Sequence, residues 1–315
     1  MVKRLRYVLL LLVSLLCVQC RHKELCYSKA VEVEVRFDWS RVQEDPHVAG
    51  MTSYFYPLDN GSSPVRRDFK DLAGGTITLR EGRYRVAAFN NSSSILQHRG
   101  EERYETLESF TRNSNPLTGA LLAQGPPSWD EGKAFRLQPE PFYAGRVTET
   151  RIMPQADGTP RQVVTIVMEP RYREVRIRLT NVRGLQGVYG ISAGFGGAVP
   201  GYLIGIDEWS EGSVHHPVVM KWDDHEVSGD LIVYELIPKA DGGRQELTLY
   251  VVMADGKGYT YGFDVTDQVE SQRGNPVIYV TLDEELILPR TDEPKRGGLD
   301  VTVESWEKVY VTIDM

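Results

Sequence analysis

The chain has 315 residues, of which 41% are hydrophobic and 25% are charged, and its formal net charge is −8. This composition is typical of a globular protein, and the acidic balance excludes the basic surface that nucleic-acid binding requires. The length predicts two domains rather than one.

The N-terminus has the pattern of a signal peptide. Lys3, Arg4 and Arg6 precede an apolar run over residues 7–16 in which Ser14 is the one polar residue. This run is too short to remain as a transmembrane helix, which needs about 20 apolar residues. We therefore expect residues 1–19 to be a signal peptide.

Residues 16–20 resemble a bacterial lipobox, in which the final cysteine is acylated and becomes the first residue of the mature chain. Cys20 is therefore the predicted lipidation site, and residues 20–26 form the tether that follows it. Gln19 departs from the small residue that usually precedes the cysteine, so Cys17 is the alternative lipidation site. The other interpretation is an ordinary secretory signal with an incidental cysteine. An acylated Cys20 predicts attachment to outer-membrane lipid, on the cell surface or the periplasmic face.

Cysteine use fits this interpretation, because Cys17, Cys20 and Cys26 are the only cysteines of the chain. No disulfide framework can hold the fold, so its stability must come from apolar burial. An acylated Cys20 leaves Cys26 as a lone thiol, whereas a free Cys20 could pair with it. The cluster does not predict a metal site, since Cys17 belongs to the signal peptide and His22 is isolated.

Alternation of apolar and polar residues dominates the rest of the chain. It is clearest in residues 31–39, where valine and aromatic residues alternate with charged ones. It recurs in residues 77–79, 84–88, 164–168, 175–179, 247–253 and 309–313. Glycine-containing turns separate these segments, and only residues 94–109 have a weak helical spacing. The pattern predicts an all-β fold of antiparallel β-sandwiches.

The predicted domain boundary lies at residues 169–171, because Pro170 cannot continue a central strand ladder. We expect residues 27–170 to form a first β-sandwich and residues 171–315 a second. Residues 111–141 form the longest irregular stretch, and a loop of this length is usually functional or mobile.

Polar side chains that could bind a metal ion are His215, His216, Asp223, Asp224, His225 and Glu226. Adjacent residues of a strand point to opposite faces, so His215 and His216 cannot easily ligate one ion. Metal sites need several convergent ligands, and we therefore predict a solvated hairpin without metal. Asp157, Asp241 and Asp255 each precede a glycine, which predicts tight turns rather than calcium ligands.

Gly190, Ser192 and Gly194 have the Gly-x-Ser-x-Gly spacing, but no helical pattern follows them as it does at a nucleophile elbow. His-Glu-x-x-His is absent, so the sequence contains no catalytic signature. Residues 187–197 are rich in glycine but are not a phosphate loop, because no helical pattern follows them. We therefore expect a protein that is not an enzyme and binds no cofactor.

Five aromatic residues have two interpretations: Tyr54, Phe55, Tyr56, Tyr259 and Tyr261. Exposed aromatic rings of this kind can form a stacking platform for glycans or for a protein partner. Packing in the hydrophobic core is the commoner use of such residues in sandwiches. We expect core packing and keep the platform as the alternative.

The chain resembles the fimbrillin-like lipoproteins of the Bacteroidales, near their fimbrial anchor and minor-subunit proteins. The resemblance is carried by residues 20–26, 31–39, 51–57, 81–90, 141–145, 263–266 and 297–306. It implies a lipidated precursor with two tandem transthyretin-like, Greek-key domains. It also implies a fimbria-like assembly role through strand addition with other surface subunits. The alternative function is a surface glycan-binding lipoprotein.

Overall fold

The computed structural model describes residues 29–43, 45–59, 61–91, 93–154, 156, 159–291, 302–303 and 305–310. The predicted signal peptide, the tether and Cys20 lie outside these residues. Among the residues that are described, no helix is long and apolar enough to cross a membrane.

Nearly all regular structure in the described residues is β-strand. The strands before residue 171 are β1 (Ala30–Asp38), β2 (Met51–Pro57), β3 (Val65–Phe69), β4 (Gly74–Arg80), β5 (Gly82–Asn90), β6 (Leu96–Arg99), β7 (Glu108–Thr111), β8 (Tyr143–Ile152), β9 (Gln162–Val167) and β10 (Glu169–Pro170).

In the described part of the second half there is one short α-helix, α1 (Thr266–Ser271). Its strands are β11 (Arg173–Leu179), β12 (Val182–Arg183), β13 (Val188–Ala198), β14 (Gly201–Leu203), β15 (Glu208–Trp209), β16 (Val214–Val219), β17 (Lys221–Trp222), β18 (Val227–Val233), β19 (Glu246–Met253), β20 (Lys257–Asp264), β21 (Val277–Leu282), β22 (Leu286–Ile287) and β23 (Ser305–Tyr310). The all-β fold predicted from the sequence is therefore confirmed.

Five larger sheets organise these strands, and β12 pairs separately with β22. In strand order, sheet A is β4-β1-β9 and sheet B is β10-β8-β5-β2-β3. Sheet C is β15-β14-β7-β6, sheet D is β17-β18-β11-β21, and sheet E is β16-β13-β19-β20-β23. Sheets A and B share one hydrophobic cluster, and sheets D and E share another. Each half is thus built on two sheets that face a common core.

Strand β1 shows how the alternation produces this packing. Its residues 31, 33, 35 and 37 are at most 5% exposed, whereas Glu32 and Arg36 between them face solvent. The apolar side chains enter the cluster shared with sheet B, where they meet Met51 and Phe55. The burial of one face of β1 is therefore as the sequence predicted.

Sheets A, D and E are mixed, whereas every pair of sheets B and C is antiparallel, so the prediction of antiparallel sandwiches is confirmed only in part. Strand β9 runs parallel to β1, β21 parallel to β11, β22 parallel to β12, and β23 parallel to β20. Alternation shows which face of a strand is buried, but it carries no information about the direction of the neighbouring strand.

Residues 94–109 do not form the short helix that their spacing suggested. They form β6, a single 3₁₀ turn at Tyr104–Thr106 and the start of β7. Tyr104 and Leu107 are buried against the outer face of sheet B, which explains the apolar spacing.

Sheet C crosses the predicted domain boundary, because β7 of the first half pairs with β14 of the second. A hydrophobic cluster also crosses it, in which Tyr54 and Phe142 pack with Tyr202 and Tyr234. The division at residue 170 stays a prediction. Two units divided there would both contribute to sheet C and to this hydrophobic cluster.

Candidate assembly site on sheet E

Sheet E is buried on both faces, because a long loop covers the face that points away from the core. This covering loop, residues 112–142, connects β7 to β8 and contains only short 3₁₀ turns. Leu117 and Leu121 of the loop are fully buried and pack against Tyr250 and Val252 of β19. The irregular stretch expected from the sequence is thus a packed part of the fold.

Glycines of β13 make room for the covering loop. A Cβ atom added to Gly190 would lie 2.8 Å from Cδ2 of Leu121, and one added to Gly194 would lie 3.0 Å from the Phe135 ring. Larger side chains would displace the loop from the sheet, because protein interiors are closely packed. This close approach explains why residues 187–197 are rich in glycine.

The covering loop also closes one edge of sheet E. The backbone N–H of His215 donates to the Ala134 carbonyl at 2.8 Å, and that of Arg136 donates to the His215 carbonyl at 2.9 Å. Residues 134–136 therefore pair along β16 as an additional strand would. The hydrogen-bonding groups of this edge are used within the chain.

Gln268 of α1 and Gln272, which caps the C-terminus of this helix, close the β21 edge of sheet D. The side-chain amide of Gln272 accepts from the Tyr279 N–H at 2.9 Å and donates to the Tyr279 carbonyl at 2.7 Å. Gln268 makes the same pair of bonds with Thr281, at 2.9 and 3.0 Å. The two residues are four apart and share one helix face. Each amide thus takes the place of a neighbouring strand along β21.

The other edge of sheet E is formed by β23, which pairs with β20. The paired residues run from Lys257 with Ser305 to Gly262 with Tyr310. Among the described residues, this is the one parallel pair of sheet E. Residues 288–304 separate β22 from β23, so the strand reaches this edge through a long connection.

Few side chains of β23 enter the fold. Trp306 and Val309 are partly buried, whereas Ser305, Glu307 and Lys308 are exposed. Trp306 packs on the covered outer face, and Val309 packs on the core cluster of sheets D and E. Among the described side chains of β23, Trp306 and Val309 pack on the hydrophobic clusters, and the backbone ladder with β20 holds the strand as well.

The sequence profile of a family described as a domain of unknown function, DUF5119, matches residues 19–219. The chain belongs to the DUF5119 family. A curated protein from Bacteroides ovatus, named "Putative fimbrium anchoring subunit Fim4B", is 32% identical to this DUF5119 chain over 115 residues. That match covers 36% of this chain and 34% of the relative, about a third of its length.

Two solved structures share the fold of this DUF5119 chain. A "putative adhesin" from Bacteroides ovatus has a TM-score of 0.66 and 19% identity, with coverage of 84% of this chain and 95% of that one. The fimbrial anchor protein Mfa2 from Porphyromonas gingivalis has a TM-score of 0.52 and 13% identity, with coverage of 80% and 91%. The resemblance to Bacteroidales fimbrial anchor proteins is thus confirmed.

Two of the three histidines predicted to lie on a solvated hairpin are withdrawn from solvent in this DUF5119 chain, His216 fully and His215 partly, whereas His225 is exposed. His216 is 1% exposed, its Nδ1 lies 2.9 Å from the Arg136 carbonyl, and burial lowers its pKa to about 4. His215 points to the opposite face, where its ring packs against Phe135. That part of the prediction was wrong, because the sequence did not place the covering loop against β16.

The remaining residues of that cluster form a turn, as predicted. The Asp223 carboxylate accepts hydrogen bonds from the backbone N–H groups of His225 and Glu226, at 3.2 and 3.0 Å. Among the described residues, no group of three or more His, Cys, Asp or Glu side chains is placed to hold a metal ion.

The Asp-Gly pairs also lie in turns where the structure describes them. Gly242 after Asp241 and Gly256 after Asp255 have left-handed backbone, with φ of 81° and 89°. This conformation favours glycine and is the expected chemistry of tight turns. Asp157 lies outside the described residues.

The aromatic platform is not present, because all five aromatic residues are at most 8% exposed. Tyr54 and Tyr56 lie between sheet B and sheet C, so the expected core packing is confirmed. Tyr54 also borders a cavity of about 120 Å³ that is lined by His98 and Arg66. Burial raises the pKa of Tyr54 to about 12 and lowers that of His98 to about 4, so both side chains are neutral at pH 7.

Proposed function

We propose that this DUF5119 chain is a lipid-anchored protein of the outer membrane that serves as an anchor or minor subunit of a fimbria-like assembly. Its relation to Fim4B and the fold that it shares with Mfa2 support this role. Its work is to bind other protein subunits, without catalysis and without a cofactor. The glycan-binding alternative has less support, because the aromatic rings proposed for it are buried.

The proposal rests on the edge of β20 that pairs with β23, which we call the β20 edge. In the second half, the β16 edge is paired with the covering loop and the β21 edge is bonded to Gln268 and Gln272. The β20 edge is instead paired with β23, which is parallel and packs on the hydrophobic clusters through Trp306 and Val309. A partner strand that displaces β23 gains the same ladder of backbone hydrogen bonds.

Membrane attachment in this proposal comes from Cys20. Its position at the end of the lipobox-like residues 16–20 supports acylation there. One acyl chain binds a membrane only marginally, so stable anchoring requires the several chains of a mature lipoprotein. The anchored chain would then hold a partner subunit at the cell envelope.

A reversible lock on β23 tests the assembly role. Thr260 and Lys308 are paired residues of β20 and β23, and adjacent strands bring such pairs within disulfide distance. The double variant Thr260→Cys with Lys308→Cys should co-purify a fimbrial or other surface subunit from native outer membranes when reduced. When oxidised it should be recovered alone, because β23 cannot leave.

The two single-cysteine variants are the matched controls, and both should retain the partner with or without oxidant. Wild-type protein recovered only as a monomer in mild detergent would contradict the assembly role. Equal recovery of the partner by the oxidised and reduced double variant would place the contact away from the β20 edge.

A further inference from the structure

Trp306 fills a depression on the outer face of β20 that fits an aromatic ring. A Cβ atom added to Gly258 would lie 2.6 Å from Cε3 of the indole, so the ring lies directly on the glycine backbone. The indole N–H donates a 2.9 Å hydrogen bond to the Gly125 carbonyl of the covering loop. The ring also meets Tyr250 edge to face, with centroids 6.1 Å apart. We name Gly125, Tyr250 and Gly258 the aromatic socket.

The walls of the aromatic socket restrict what can enter it. Because residue 258 is glycine, a flat aromatic ring can lie directly on its backbone. Any residue with a Cβ at position 258 would clash with that ring. The Gly125 carbonyl is satisfied by a donor on the ring, which tryptophan supplies and aliphatic residues lack. Tyr250 is fixed by its hydrogen bond to Asp130, so this wall does not collapse when the socket is empty.

A second residue of β23, Val309, contacts the opposite face of sheet E. Val309 follows Trp306 by three residues, and an odd separation along a strand places two side chains on opposite faces. Val309 is paired with Tyr261 and packs on the core cluster of sheets D and E. The edge therefore contacts an aromatic residue on its outer face and a branched aliphatic residue on its inner face.

We propose that the β20 edge selects its partner strand by an aromatic residue opposite Gly258 and a branched aliphatic residue opposite Tyr261. This inference rests on the proposed strand addition. The occupant is an extended strand of a partner subunit that runs parallel to β20, as β23 does. Strand β23 carries the same pattern in Trp306 and Val309, and it occupies the edge until the partner strand displaces it.

Peptide binding to the full chain tests this selection. The variant Trp306→Gly empties the aromatic socket and loosens β23. Two peptides are titrated against this receptor variant. The first has the sequence of residues 302–310, and the second is identical except that it carries Trp306→Gly. The first peptide should bind at least about tenfold more tightly in a fluorescence-anisotropy titration, because only its indole fills the socket.

A second receptor variant separates the socket from the rest of the edge. Adding Gly258→Ala to Trp306→Gly places a Cβ where the indole would lie, so the preference for the tryptophan peptide should disappear. Adding Gly274→Ala is the matched control, since a Cβ there would contact nothing, and the preference should remain. Circular dichroism confirms that each receptor is folded, and Trp306→Leu replaces Trp306→Gly as receptor if the glycine variant is unfolded.

The outcomes distinguish this inference from the function on which it rests. Equal affinity of the two peptides for the Trp306→Gly receptor would overturn aromatic selection and leave strand addition intact. No binding of either peptide would contradict strand addition at the β20 edge, and the inference would fall with it.

Discussion

The hydroxyl of Tyr250 donates a 2.8 Å hydrogen bond to the carboxylate of Asp130, and both side chains are at least 95% buried. The ammonium of Lys133 lies 2.8 Å from the other carboxylate oxygen. The contact joins β19 to the covering loop, which is also held on this face by apolar packing and by hydrogen bonds between Thr118 and Ser192. It therefore fixes the loop and one wall of the aromatic socket together.

Removing this hydroxyl should destabilise the fold. We expect Tyr250→Phe to lower the free energy of unfolding by about 2 kcal/mol, because the buried carboxylate loses one of its partners. Urea denaturation measures the change. Tyr279→Phe is the matched control, since that side chain is 53% exposed and its replacement should have little effect. Equal losses in the two variants would contradict a special role for the Tyr250 bond.

The glutamine contacts along β21 predict a change in association state. We expect the double variant Gln268→Ala with Gln272→Ala to self-associate with rising concentration, because it exposes unpaired backbone groups of β21. Light scattering coupled to size-exclusion chromatography measures the mass. Asp267→Asn on the same helix removes only an exposed ion pair and should stay at the wild-type mass. A double variant with the wild-type mass would show that the glutamines do not protect the edge.

Buried His216 predicts a fall in stability in mild acid. Burial lowers its pKa to about 4, whereas a histidine of the unfolded chain titrates near pH 6.5. Between these values the unfolded chain binds the additional proton, so the stabilisation present above about pH 6.5 is lost as the pH falls towards about 4. The loss from this side chain is on the order of 3 kcal/mol.

The variant His216→Asn tests this origin of the pH dependence. It removes the titrating ring but keeps a side-chain N–H that can donate to the Arg136 carbonyl. We expect the free energy of unfolding, measured with urea across this pH range, to fall less steeply in the variant than in the wild type. Identical slopes would assign the pH dependence to other groups.

The predicted lipid anchor has a direct chemical test. Cys20→Ala should abolish incorporation of radiolabelled palmitate and release the protein from membranes, because Cys20 follows the apolar run of the signal peptide. Cys17→Ala is the matched control and should retain both. The opposite result would place the lipidated cysteine at position 17.

The sequence predicts well where one face of a strand is buried and the other is solvated. In β1 the alternating residues have the expected burial. Strands β2 and β19 are buried on both faces, by sheet C and by the covering loop, so Tyr54 and Tyr250 could not be placed by alternation. The covering structures come from distant parts of the chain, and local periodicity does not report them.

The candidate site was harder to predict than the fold. The small residues Gly258 and Gly262 of β20 indicate that something approaches the backbone closely, but not that it is Trp306. The parallel direction of β23 follows from a long connection rather than from a turn. Gln268 and Gln272 have ordinary helical spacing, and only the structure shows that they bond to β21.

Backbone hydrogen exchange in the purified complex tests the central claim most directly. If a partner strand replaces β23, the amides of residues 257–264 should stay protected from exchange in the complex. Those of residues 305–310 should lose their protection, because their ladder partner has been taken over. Equal protection of residues 305–310 in the free chain and in the complex would contradict strand replacement at the β20 edge.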